Sequence, residues 1–126
     1  MAEKLCQLRK KGSLGEFQIP KGSYVFAYGT GGVSDISTYT SGIAITNPST
    51  SLGNFLIVSP NGDCTIKATS PSNNRVAMKG YSNGRTVKTV AESIIMSKTE
   101  VFTNCDMIVV YSIGSASTIS FTITDS

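Results

Sequence analysis

The feature that most constrains this chain is a pair of strand patterns near its end. Residues 101–123 read V-F-T-N-C-D-M-I-V-V-Y-S-I-G-S-A-S-T-I-S-F-T-I. Residues 107–111 form an unbroken apolar run, as expected of a strand buried on both faces. Residues 118–124 alternate, with Ile119, Phe121 and Ile123 on one side and Ser120 and Thr122 on the other. The spacing predicts a hairpin joined through Gly114, Ser115, Ala116 and Ser117, with a turn at Asn104, Cys105 and Asp106 ahead of its first strand.

The rest of the chain repeats the pattern. Tyr24, Phe26 and Tyr28 alternate with Val25 and Ala27, a strand entered from the Pro20-Lys21-Gly22 turn. Short strands are predicted at residues 43–46, 54–58 and 64–68. Asn61-Gly62-Asp63 signals a tight hairpin between the last two, since Asn and Gly accept positive φ. Residues 70–74 read as a loop, and residues 75–81 and 85–90 as a hairpin about Asn83-Gly84. Residues 87–98 are ambiguous. Val87, Val90, Ala91, Ile94 and Ile95 fit a helical stripe with Glu92 on the polar side, but the Val, Ile, Thr and Ser content and the surrounding strands favour β.

Eight or nine short strands with turns every 8–12 residues indicate an all-β, antiparallel β-sandwich, jelly-roll-like, in a single domain. An immunoglobulin-like sandwich is the alternative, although the chain has no Trp for a Cys-Trp-Cys core. A chain of 126 residues is long enough to bury a core without disulfides. Ser and Thr make up about a quarter of it, and such uncharged polar residues suit exposed strand faces.

Residues 1–15 differ from this body. Glu3, Lys4, Arg9, Lys10 and Lys11 surround Leu5, Cys6 and Leu8, and Gly12 and Gly15 supply a joint. The segment is too short to bury itself. It is an edge strand, a frayed tail, or an arm that docks elsewhere through Leu5, Leu8, Arg9, Lys10 and Lys11. The domain organisation expected is an arm and hinge over residues 1–15 and a β-domain over residues 16–126.

Chemistry is constrained mainly by what is missing. The chain has no His, which removes Ser-His and Cys-His nucleophile pairs and most zinc sites. The carboxylates Glu3, Glu16, Asp35, Asp63, Glu92, Glu100, Asp106 and Asp125 form neither a calcium loop nor a recognisable acid–base pair. The loop G-T-G-G-V-S-D at residues 29–35 could cradle a phosphate only if a helix followed it, and a Ser/Thr-rich, β-prone stretch follows instead. A non-enzyme without cofactor or metal is therefore expected.

Cys6, Cys64 and Cys105 are an odd set without a secretory leader, so reduced, small buried thiols in a cytosolic product are expected. No apolar run reaches a membrane span, and the scattered basic residues behind the +3 charge do not form a nucleic-acid stripe. Carbohydrate binding is a rival function, because tyrosine rings stack on sugar faces. Its candidates are Tyr28, Tyr39 and Tyr81, with Tyr39 and Tyr81 the foremost; the alternative for these rings is core lining and turn closure.

The opening M-A-E-K-L-C-Q-L-R-K-K-G, followed by a Gly/Ser/Thr-rich β body, resembles small virion structural proteins of tailed bacteriophages. T-N-C-D-M-I-V-V-Y and T-I-S-F-T-I are similar to the last strands of trimeric jelly-roll heads in phage fibres and decoration proteins. Such heads often carry Gly-Asp where this chain has Cys105 and Asp106. The resemblance implies a non-catalytic capsid-decoration or tail-fibre-associated protein, made in the bacterial host cytoplasm and resident in the virion. It implies partners that are copies of itself, as a homo-oligomer and specifically a trimer, and other virion proteins, with a cell-surface glycan as a further candidate.

Overall fold

A computed structural model describes residues 3–7, 16–27, 35–46, 54–113 and 119–126. These residues form ten strands and no helix: β1 (Glu3–Gln7), β2 (Glu16–Pro20), β3 (Ser23–Ala27), β4 (Ser37–Thr38), β5 (Ala44–Thr46), β6 (Asn54–Ser59), β7 (Cys64–Ser82), β8 (Arg85–Phe102), β9 (Met107–Ile113) and β10 (Ser120–Asp125). The main sheet runs β4-β3-β6-β9-β7-β10-β5, with β8 on the other side of β7. Every pairing is antiparallel.

The long β7–β8 hairpin turns this one sheet into two layers. The first half of β7 pairs with β10 from Cys64↔Asp125 to Thr69↔Ser120. Its second half pairs with β9 from Arg75↔Ile113 to Tyr81↔Met107. Between the halves the β7–β8 register jumps from Thr69↔Ser97 to Asn74↔Ile95. The extra residues on β7 form a corner, as a large bulge does. One layer is thus β4-β3-β6-β9 with the second half of β7; the other is β5-β10 with the first half.

Alternation fills the space between the layers. Phe26, Leu56, Val58, Val76, Met78, Ile108 and Val110 from one layer meet Ile45, Cys64, Ile66, Ala68, Phe102, Ile119, Phe121 and Ile123 from the other. The antiparallel, jelly-roll-like β-sandwich predicted from strand spacing is the observed fold.

Several local expectations are corrected. β9 and β10 are not a hairpin, because β7 lies between them. The run 107–111 forces this result: Ile108 and Val110 enter the main core while Val109 is buried on the opposite face, so β9 takes a central place with a neighbour on each side. The Asn61-Gly62-Asp63 turn does not close a hairpin either. It carries the chain from β6 in one layer to β7 in the other, since β6 pairs with β3 and β9 and not with β7. Residues 70–74 are the corner of β7 rather than a loop between strands. Residues 87–98 are strand throughout, within β8.

A second apolar cluster lies on the outer face of the larger layer. Ile19 of β2 covers Val25, Ile57 and Val109, and Tyr81, Met107 and Tyr111 pack at its margin. β2 is in turn paired with β1, from Glu3↔Pro20 to Gln7↔Glu16. Residues 3–7 of the expected arm are therefore an edge strand on β2. Leu8, Arg9, Lys10, Lys11, Gly12 and Gly15 lie outside the described residues, as do the glycine-rich loop through Ser34 and Tyr28.

Candidate functional site

The β1–β2 hairpin covers only part of this outer face. β7 presents Arg75, Ala77, Lys79 and Tyr81 outward in alternation, and β9 presents Met107, Val109 and Tyr111. Val109 is sealed beneath the hairpin's cluster. Next to it Tyr81, Lys79 and Tyr111 remain partly open to solvent.

The register fixes their arrangement. Lys79 is directly across from Val109, Tyr81 from Met107, and Tyr111 from Ala77. The two tyrosines therefore lie on opposite strands, on either side of the Lys79–Val109 pair, and lean toward it. Their phenols are close enough to influence one another's proton. The Lys79 ammonium lies 6.0 Å from the centroid of the Tyr111 ring, at the outer limit of a cation–π contact. The hydrogen bond with Tyr111 raises the Lys79 pKa above the ordinary lysine value. Burial, followed by the neighbouring Tyr111, raises that of the Tyr81 phenol. Both side chains thus keep their protons, and both are donors.

The platform ends at a polar cleft of ≈ 310 Å³ lined by Lys21, Pro60, Ser82, Asn83, Asn104 and Asp106, among others. Ser82 follows Tyr81 and Asp106 precedes Met107, so platform and cleft share a border. The Asp106 N–H donates to the Tyr81 carbonyl at 2.8 Å, and the Asn83 N–H donates to Asp106 Oδ2 at 2.9 Å. Asn83 and Asn104 hold φ of 51° and 58°, the left-handed region that Asn tolerates best after Gly. Asp106 is the one carboxylate lining the cleft. No grouping of three or more metal-ligating His, Cys, Asp or Glu occurs among the described residues.

Tyr39 belongs to a different place. Its ring packs against the main core. Its hydroxyl donates to Asp125 Oδ1 at 2.8 Å and accepts from the Asn61 N–H at 3.2 Å. Asn61 Nδ2 also donates to Asp125 Oδ2 at 3.3 Å. Burial first, then the bond to Asp125, holds this phenol well above the ordinary tyrosine range. Tyr39 thus ties β10 to the Asn61 turn, the turn-closing role that was the alternative for it. Tyr81 does stand on an accessible face, and the partner the sequence did not single out is Tyr111. The signal was present, since Tyr111 alternates with Val109 and Met107, but an apolar run hides which of its residues point outward.

The remaining candidates are placed as follows. Cys64 and Cys105 are buried, unpaired thiols. Burial pushes the Cys64 thiol up to about 12 and raises Cys105 as well, so both are protonated at neutral pH and poor nucleophiles.

No family model matches the sequence, and no curated protein matches it. Among solved structures, one described as "CBM4 structure and function" is similar over 81% of this chain and 90% of its own, with a TM-score of 0.41 and 20% identity.

Proposed function

We propose that this β-sandwich is a non-catalytic carbohydrate-binding module that holds its ligand on the Tyr81–Tyr111 platform. The observation that carries this is the placing of two partly exposed tyrosines on one outward sheet face, on either side of Lys79, whose ammonium lies 6.0 Å from the Tyr111 ring centroid. A pyranose has an apolar C–H face and a polar rim. Tyrosine rings receive the face and phenols and amines satisfy the rim. The adjoining cleft offers Ser82, Asn83 and Asn104 for further hydroxyls. The platform rests on two paired strands, so little ordering is needed on binding.

The test is a glycan array followed by calorimetry on the best binder. Tyr81→Ala and Tyr111→Ala should each weaken binding at least about tenfold, or ~1.4 kcal/mol, as truncation of an aromatic anchor does. Both variants should keep the circular dichroism of the parent. Tyr39→Phe, which removes a hydroxyl engaged elsewhere, should bind normally. Undiminished binding by the Tyr81→Ala/Tyr111→Ala double variant would refute the site.

A second reading, assembly of the β-domain into a homo-oligomer, is supported by β8. Among the described residues this long strand pairs only with β7, and Val87, Met96 and Val101 are each more than half exposed along it. Edges of this kind recruit another strand unless guarded. Sedimentation at micromolar concentration tests it: a trimer supports assembly through the β-domain, and a monomer removes it.

A further inference from the structure

Charge is the other property of the platform. The second half of β7 lies at its centre. Arg75 and Lys79 occupy the same outward face two alternations apart, with Ala77 between them. From β9 the facing residues are Met107, Val109 and Tyr111, none of them acidic. From β8 the partners of Lys79 and Tyr81 are Thr89 and Thr86, also neutral, with Arg85 at the turn beyond. Asp106, next to Met107, lines the cleft and accepts the Asn83 N–H. Lys79 thus places a cation between the two tyrosines of this face, with no acidic residue among its cross-strand partners Val109 and Thr89.

A neutral sugar has no need of such a charge. Its hydroxyls are both donors and acceptors, and the two phenols already serve them. An ammonium offers three donors and no acceptor, and its full charge is realised only against an anion. Lys79 also has a neighbour that positions it. Its hydrogen bond to Tyr111 keeps the ammonium at the edge of the ring where a stacked sugar would lie.

From this geometry we infer that the saccharide is an acidic one, whose carboxylate or sulfate sits on Lys79 while its ring faces rest on Tyr81 and Tyr111. This rests on the carbohydrate reading of the same platform. The ring supplies stacking area, and the anion supplies orientation, because one fixed charge lies between two otherwise similar rings.

The experiment compares matched ligands on the intact chain. Oligogalacturonate is set against its carboxyl-reduced neutral counterpart, and a sulfated galactan against its desulfated form. The acidic member of a pair should bind about tenfold tighter at low salt, and that preference should shrink as sodium chloride approaches 1 M, where screening reaches about 3 Å. Lys79→Gln should remove the preference, so that the acidic member of each pair binds no tighter than the neutral one. A preference for the carboxylate pair alone, or for the sulfate pair alone, identifies which source of the anion the site takes and supports the inference. If acidic and neutral members bind equally, and both lose binding in Tyr81→Ala, the acidic preference is wrong while the carbohydrate site stands. If the preference survives Lys79→Gln, the charge acts elsewhere and the inference falls. If no ligand binds and the tyrosine variants change nothing, both fall together.

Discussion

The Lys88 ammonium lies 3.2 Å from Oε1 of Glu100, although both residues belong to β8. In a straight strand they would be about 40 Å apart at ~3.3 Å per residue. Their contact measures how sharply the β7–β8 hairpin folds over the core. Lys88 Nζ also donates to the Val101 carbonyl at 2.6 Å and sits 5.1 Å from the Phe102 ring centroid. Lys98 joins Glu100 from the same half of the strand at 3.8 Å. Lys88 thus closes the open side of the sandwich, one layer reaching to the other.

Replacing Lys88 should loosen that closure. Lys88→Ala loses a partly exposed ion pair, a bond to a backbone carbonyl, a ring contact and an apolar stem. Together these predict a loss of about 1–2 kcal/mol. Glu100→Gln should cost less than about 1 kcal/mol, because the Val101 and Phe102 contacts remain. Urea titrations of the two variants check the order. Equal losses would mean that the ion pair alone holds the edge.

Gly80 should not tolerate a side chain. A Cβ there would stand 2.5 Å from Cys105 Sγ and 2.9 Å from Phe102 Cδ2. Both neighbours are core residues with little freedom to move. Gly80→Ala is expected to destabilise by about 1–3 kcal/mol through overpacking. Adding Cys105→Ala should restore part of the loss, since it removes the closer clash and leaves the one with Phe102. Full additivity of the two changes in thermal melts would contradict this packing.

These two sites show what could be seen in the sequence. The inward alternation of Ile119, Phe121 and Ile123 was legible because one buried face imposes period two. So was the strand character of residues 87–98, from their β-branched content. Strand neighbours were not legible. Asn61-Gly62-Asp63 has hairpin chemistry, but turn chemistry fixes only a reversal, whereas burial of Val109 and Ile108 on opposite faces decides who lies beside whom. The fold-back of β8 was invisible for the same reason: Lys88 and Glu100 meet only once β7 has turned its corner at Thr69 and Asn74. Half of the platform could be seen, in Tyr81. Tyr111 was hidden in an apolar run whose outward member only the register reveals.

The β1–β2 hairpin should be bound through Ile19. That side chain is fully buried against Val25, Ile57 and Val109. Ile19→Ala should cost about 2–5 kcal/mol, the range for a buried aliphatic truncation. Val101→Ala, at a side chain 51% exposed, should change stability by less than about 0.5 kcal/mol. Chemical denaturation of both compares them directly. An Ile19→Ala variant as stable as Val101→Ala would mean that the hairpin does not seal this face.

Stability should fall in alkali, in two stages. Cys64 is raised from 9.0 to about 12, chiefly by burial and then by Asp125. Tyr39 is raised from 10.0, again by burial and by its bond to Asp125. In each case the folded chain keeps a proton that the unfolded chain releases at the ordinary value. Between those two values the folded state binds more protons, so stability declines as pH rises. Below pH 9 both contributions are fully present. From about pH 9 the thiol contribution begins to drain, and from about pH 10 the phenol contribution follows, each by at most ~1.4 kcal/mol per pH unit. Cys105 and Tyr81 shift in the same direction and steepen the fall. Melting temperatures recorded from pH 8 to 11 under reducing conditions should therefore bend downward near pH 9 and more steeply past pH 10. Cys64→Ala should flatten the first segment and Tyr39→Phe the second, each from a lower starting stability. A melting temperature unchanged across that range would show that neither proton is held by the fold.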